Sequence, residues 1–150
     1  MTIPRSIHSE VEPQRFTNYK LGLVDGTLTF DRESKTITLL ASEPQQEPAI
    51  IEQQRFTDQE FLIMETIFDQ YPDYCPLAEL LSAQSDRSLA QCRTEVMRAL
   101  DEGGIDDIIR PVRNLLHRAR IKLRRFGLDV RSIQETGYLL VSDRSGFKRR

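Results

Sequence analysis

Residues 108–140 read IIRPVRNLLHRARIKLRRFGLDVRSIQETGYLL and divide into a basic helix followed by a short β-hairpin. Val112, Leu115, Leu116, Ala119, Leu123 and Phe126 recur at three- and four-residue steps, the period of one buried helical face. Arg110, Arg113, Asn114, His117, Arg118, Ile121, Lys122, Arg124 and Arg125 fall on the remaining face, and a helix of this kind has the width of a DNA major groove. Pro111 lacks an amide N–H and suits a first helical turn, with Asp106 and Asp107 as candidate caps just upstream. Gly127 can take the left-handed conformation that closes a helix, so the helix is expected over residues 109–126. Val130, Ser132 and Ile133, then Tyr138, Leu139, Leu140 and Val141, are two β-type runs around Glu135-Thr136-Gly137, the pattern of a wing.

Charge is divided along the chain in a way that supports this reading. Residues 1–107 carry nine Lys/Arg against twenty Asp/Glu, and residues 108–150 carry twelve against three, so a net charge of -2 conceals one strongly cationic segment. The local field of that segment, and not the overall balance, governs attraction to nucleic acid. A chain of 150 residues can bury a real core as one domain. No apolar run approaches the roughly 18 residues of a membrane span. The N-terminus has neither a signal-peptide core nor an Arg-rich presequence, so a cytoplasmic, nucleoid-associated protein without membrane contact is expected. Cys75 and Cys92 have no His or second Cys at ligand spacing. Free thiols are expected there, with a redox switch as the lesser reading, and no metal or cofactor is expected.

Residues 1–18 are polar and aperiodic and read as a flexible leader, residues 19–142 as the folded domain, and residues 143–150 as a basic tail. The runs 19–24 (YKLGLV), 27–31 (TLTFD) and 35–40 (KTITLL) suggest an antiparallel meander, with a fourth short strand at 49–52 after a loop at 42–48. Thr57-Asp58-Gln59-Glu60 fits a capping box and opens a helix whose Phe61, Met64, Ile67 and Phe68 share a face widened by Leu62 and Ile63, up to Pro72. Pro76 opens a second helix at 77–82. Ser85 or Asp86 could cap a third at 87–102, with Leu89, Cys92, Val96, Met97 and Leu100 as its apolar stripe and Gly103-Gly104 as its stop.

Three separated motifs in this order resemble the DNA-binding effector domain of OmpR/PhoB-type response regulators. The family's Leu-Thr-x-x-Glu-Phe is matched by Phe56-Thr57-Asp58-Gln59-Glu60-Phe61. Its Ile-x-Arg-Leu-Arg-x-Lys-Leu is matched by Leu116-His117-Arg118-Ala119-Arg120-Ile121-Lys122-Leu123, and its Gly-Tyr-x-Leu by Gly137-Tyr138-Leu139-Leu140. The resemblance implies an α+β fold: a winged helix-turn-helix with an N-terminal antiparallel β-sheet, an additional helix before the recognition helix, and a C-terminal β-hairpin wing. Gln134-Glu135 stands where the family carries an Arg-Gly pair that enters the minor groove. The 87–102 helix stands where the family has a short loop that touches RNA polymerase in some members. Too few residues precede the effector fold for a receiver domain, so control by aspartyl phosphate is not expected.

The function these features imply is sequence-specific binding of double-stranded DNA in transcription regulation, with homodimers formed on DNA. Base contacts are expected from Arg110, Asn114, His117, Arg118 and Ile121, and phosphate contacts from Arg113, Arg120, Lys122, Arg124, Arg125, Arg131, Thr136 and Tyr138. The alternative is a winged-helix interaction module that docks on RNA polymerase or another regulator, with Arg93, Glu95 and Arg98 as its partner surface. An enzyme is not expected. There is no nucleophile-base pair, ligand cluster or phosphate loop, and Glu60 and Glu65 read as ordinary helix-surface carboxylates.

Overall fold

The computed structural model describes residues 14–41, 49–134 and 136–143 and combines an antiparallel four-stranded sheet, four helices and a three-stranded sheet. Strands β1 (Phe16–Tyr19), β2 (Thr27–Asp31), β3 (Thr36–Leu40) and β4 (Ile50–Arg55) pair in sequence order. Alternation decides which face is covered: Leu28, Phe30, Ile37 and Leu39 are buried, and the residues between them are only partly so. The register sets Leu28 across from Leu39 and Phe30 across from Ile37, which makes one continuous apolar face.

The first strand lies earlier than the 19–24 run. Tyr19 pairs with Leu28, so residues 20–26 must form the connection and the strand extends back to Phe16, inside the expected leader. Tyr19 is its core anchor, with its ring 4.8 Å from that of Phe30 and 5.3 Å from that of Phe68. The fourth strand runs on to Arg55 because Thr36 supplies a partner there. Residues 1–13 of the leader, the 42–48 loop, Glu135 and residues 144–150 of the tail lie outside the described residues.

Helix α1 (Asp58–Gln70) begins with the expected capping box, the Glu60 N–H donating to the Thr57 hydroxyl and the Thr57 N–H to the Glu60 carboxylate. Phe61, Ile63, Met64, Ile67 and Phe68 are buried under the sheet and helices, whereas Leu62 turns outward. A two-residue strand, β5 (Cys75–Pro76), leads into α2 (Leu77–Ala83). Next comes α3 (Leu89–Glu102), capped by Ser88 and not by Ser85 or Asp86, since only Ser88 has a glutamine three residues on to return the hydrogen bond. The buried side of α3 is Cys92, Val96 and Ala99, at steps of four and three residues. Met97 and Leu100, expected in that stripe, are 59% and 40% exposed, because the buried face of α3 is too narrow to take in positions about 100° from Val96 and Ala99.

Gly103 and Gly104, at φ 98° and 100°, stop α3 and start α4 (Ile105–Leu123), which continues as a 3-10 turn over Arg124–Phe126. The helix therefore begins four residues before the expected start, and Pro111 lies inside it. Asp106 and Asp107 occupy its first turn instead of capping it. Ile105, Ile108 and Ile109 pack against the core and carry the helix back past the proline. Strands β6 (Leu128–Ile133) and β7 (Gly137–Ser142) form the expected hairpin, joined by β5 in the order β5-β7-β6. A Cβ on Gly137 would lie 2.5 Å from the Cys75 carbonyl oxygen and 2.6 Å from the Tyr74 ring, so glycine is what lets β5 close on β7. Among the described residues no helix is long and apolar enough to cross a membrane.

Candidate nucleic-acid interface

The buried stripe of α4 is Ile109, Val112, Leu115, Leu116, Ala119 and Leu123, as its period requires. The five residues expected to meet bases, Arg110, Asn114, His117, Arg118 and Ile121, are all exposed, and their spacing puts them on one outward face. Ile121 is 60% exposed on an otherwise polar surface. Between α4 and the hairpin lies a cleft of about 350 Å³ lined in part by Arg113, His117, Arg120, Ser132 and Tyr138.

Each cation of the helix faces a carboxylate of the same chain. Arg110 lies 3.0 Å from Asp107, and Arg113 lies 4.0 Å from Asp106. Arg120 donates Nε and Nη2 to the two oxygens of Asp129 at 2.7 and 3.1 Å, and Arg124 approaches the same carboxylate at 3.4 Å. Arg125 is 3.9 Å from Glu52. Lys122 donates to Glu60 Oε1 at 2.9 Å and stands 5.1 Å from the centre of the Phe56 ring, while Arg118 Nε lies 3.6 Å from Glu60 Oε2.

Glu60 is the residue that sequence reasoning most misjudged. It is 2% exposed, not a surface carboxylate, and one oxygen accepts both the Thr57 N–H and the Lys122 ammonium. Burial pushes its carboxyl up, but the Thr57 hydrogen bond, Lys122 and Arg118 together outweigh burial and hold it below its ordinary value. Asp129 behaves alike: burial raises it, while Arg120, the Val130 N–H and Arg124 bring it below the usual range. Glu65 also departs from the surface reading. It is largely buried beside Arg32, at 2.6 Å, and desolvation raises its carboxyl. Partners 62 residues apart, as Glu60 and Lys122 are, leave no local trace in a sequence.

The other expected positions are distributed as follows. Arg131 is exposed on β6 and makes no ion pair with another described residue. The Thr136 hydroxyl and N–H both donate to the Ile133 carbonyl, closing the hairpin turn, and the Thr136 carbonyl accepts the Leu77 N–H at the start of α2. Tyr138 is buried and lines the cleft, and its phenol is raised by that burial. Arg93 and Arg98 are exposed on α3, whereas Glu95 pairs with Arg87. Cys75 and Cys92 are buried free thiols, and burial pushes Cys75 up to about 12. Among the described residues no cluster of His, Cys, Asp and Glu could hold a metal ion. In comparisons with known proteins, no family model, curated protein or solved structure matches the chain.

Proposed function

We propose that the chain is a sequence-specific double-stranded-DNA-binding transcription regulator, with α4 as the recognition helix and the β6–β7 hairpin as the wing of a winged helix-turn-helix like that of the OmpR/PhoB-type effector domains. The observation that carries this reading is the outward face of α4. Over about 17 Å of helix, Arg110, Asn114, His117, Arg118 and Ile121 offer base-edge donors and acceptors and one apolar contact suited to a thymine methyl. The ion pairs on this face do not block it. Those of Arg110 and Arg113 are exposed on both sides, and such pairs contribute about 0–1 kcal/mol, while Arg124 and Arg125 are themselves exposed and lie 3.4 and 3.9 Å from their carboxylates, so a phosphate can take the carboxylate's place. Arg120 and Lys122 are more enclosed, and they brace α4 against Asp129 and Glu60. Phosphate contacts then fall to Arg113, Arg124, Arg125 and Arg131. Selection of bound fragments from sheared genomic DNA tests the reading: a recurrent motif is expected, and binding no stronger than to random duplex would overturn it.

The exposed Met97 and Leu100 on α3 favour a second reading, in which the domain docks on RNA polymerase or another regulator and DNA contact is secondary. Charge reversals at Arg93 and Arg98 would then change transcription while leaving DNA affinity unaltered.

A further inference from the structure

Six exposed residues, Ala90, Arg93, Thr94, Met97, Leu100 and Asp101, form one stripe down the outer side of α3. Taken at 100° per residue, they all lie within about 60° of Met97. The stripe is apolar at its centre, small at one end and charged at two symmetric positions. The Thr94 hydroxyl donates back to the Ala90 carbonyl of its own helix at 3.1 Å and so has its hydrogen bond met without a partner. Neither Arg93 nor Asp101 makes an ion pair with another described residue, in contrast to the cations of α4. Eight residues apart, about 12 Å along the axis, they are also too distant to pair with each other.

We infer that this face is the contact between two copies of the chain, with α3 lying antiparallel on its counterpart across a two-fold axis at Met97. An isologous contact requires a surface complementary to itself. In this register Met97 meets Met97, Thr94 meets Leu100, and Arg93 of each copy meets Asp101 of the other, so each unpaired charge gains one partner and the dimer holds two such pairs. Ala90 lets the backbones approach at the ends. The contact involves one 14-residue helix per copy, which places it at the small end of protein interfaces, and the dimer is correspondingly weak and concentration-dependent. The inference goes beyond the DNA-binding reading and does not depend on it, since nothing on α4 takes part.

The test uses the full chain without DNA, in sedimentation over a concentration series. Arg93→Asp and Asp101→Arg each place like charges opposite one another and are expected to raise the concentration needed for pairing by about tenfold or more. An equimolar mixture of the two variants is expected to pair again, because both positions of the Arg93→Asp copy are then acidic and face the two basic positions of the Asp101→Arg copy. A Met97→Cys variant, whose new thiol is exposed while Cys75 and Cys92 are buried, is expected to cross-link to itself under mild oxidation faster than Gln59→Cys on α1. A chain that stays monomeric throughout and cross-links equally slowly at both positions would overturn the inference, as would a mixture no more associated than its components. The same outcome would leave the face to a different protein.

Discussion

A buried carboxylate survives only if its charge is met, and Glu60 meets this condition with a capping hydrogen bond and two cations from an element far away in sequence. Its folded-state pKa lies below the ordinary value of 4.5, so the folded protein binds fewer protons here than the unfolded chain. The stabilisation from this group is therefore present above that value and is lost as pH falls through the carboxylate range. Asp129 adds to the same trend. Glu60→Gln is expected to be less stable than the parent at pH 7, by about 1–3 kcal/mol, and to lose less further stability between pH 6 and pH 3. Urea midpoints across that range would show it, and parallel pH profiles for the two proteins would refute the role given to the carboxylate. The two cations on Glu60 should respond differently to removal. Arg118 is 60% exposed and loosely held, so Arg118→Ala is expected to cost roughly 1–3 kcal/mol of affinity on the selected site and to relax preference at one base. Lys122 is held between Glu60 and Phe56, so Lys122→Ala should lower the urea midpoint and change DNA affinity little. Anisotropy titrations on selected and random duplexes, beside unfolding curves, separate the two effects.

At the scale of the element, α3 shows how much depends on the assignment of a helical face. Leu89, Cys92, Val96, Met97 and Leu100 form a stripe in one dimension, but the buried face of α3 is narrow, and Val96 and Met97, about 100° apart, fall on opposite sides of its edge. Packing on α2 and α4 selects Cys92, Val96 and Ala99 and leaves Met97 in solvent. The caps are local and legible: Ser88→Ala should remove the bond from the Gln91 N–H and cost about 0.5–2 kcal/mol in thermal or urea unfolding. Pro111 is the reverse case. It lies within α4, where its missing N–H leaves a hydrogen bond unmade, so Pro111→Ala should stabilise the chain by up to about 3 kcal/mol. An unchanged midpoint would mean that the helix is bent around the proline at no cost.

For the whole molecule, the decisive quantity is how much of the positive charge on α4 is available. Seven cations of the helix and its 3-10 extension share five carboxylates, Asp106, Asp107, Glu60, Asp129 and Glu52. If all seven met phosphates, the logarithm of affinity would fall with the logarithm of salt at a slope of about -6; with phosphates met by Arg113, Arg124, Arg125 and Arg131 alone, a slope of about -3.5 to -4 is expected. A slope near zero on the selected site would show that the helix does not bind the backbone.

The local features of this chain were legible in its sequence: the Thr57-Glu60 capping box, the Gly103-Gly104 stop, the amphipathic stripe of α4 and the turn between β6 and β7. Each is set by residues within a few positions of one another, whose backbone and side-chain hydrogen bonds form wherever the segment lies. The tertiary structure alone decided that Glu60 is buried, that the half-buried Lys122 and Arg120 are paired with Glu60 and Asp129, and that Met97 faces outward. Burial and ion pairing act through distance in space, and segments such as α1 and α4 come within 3 Å only after the sheets and helices have packed.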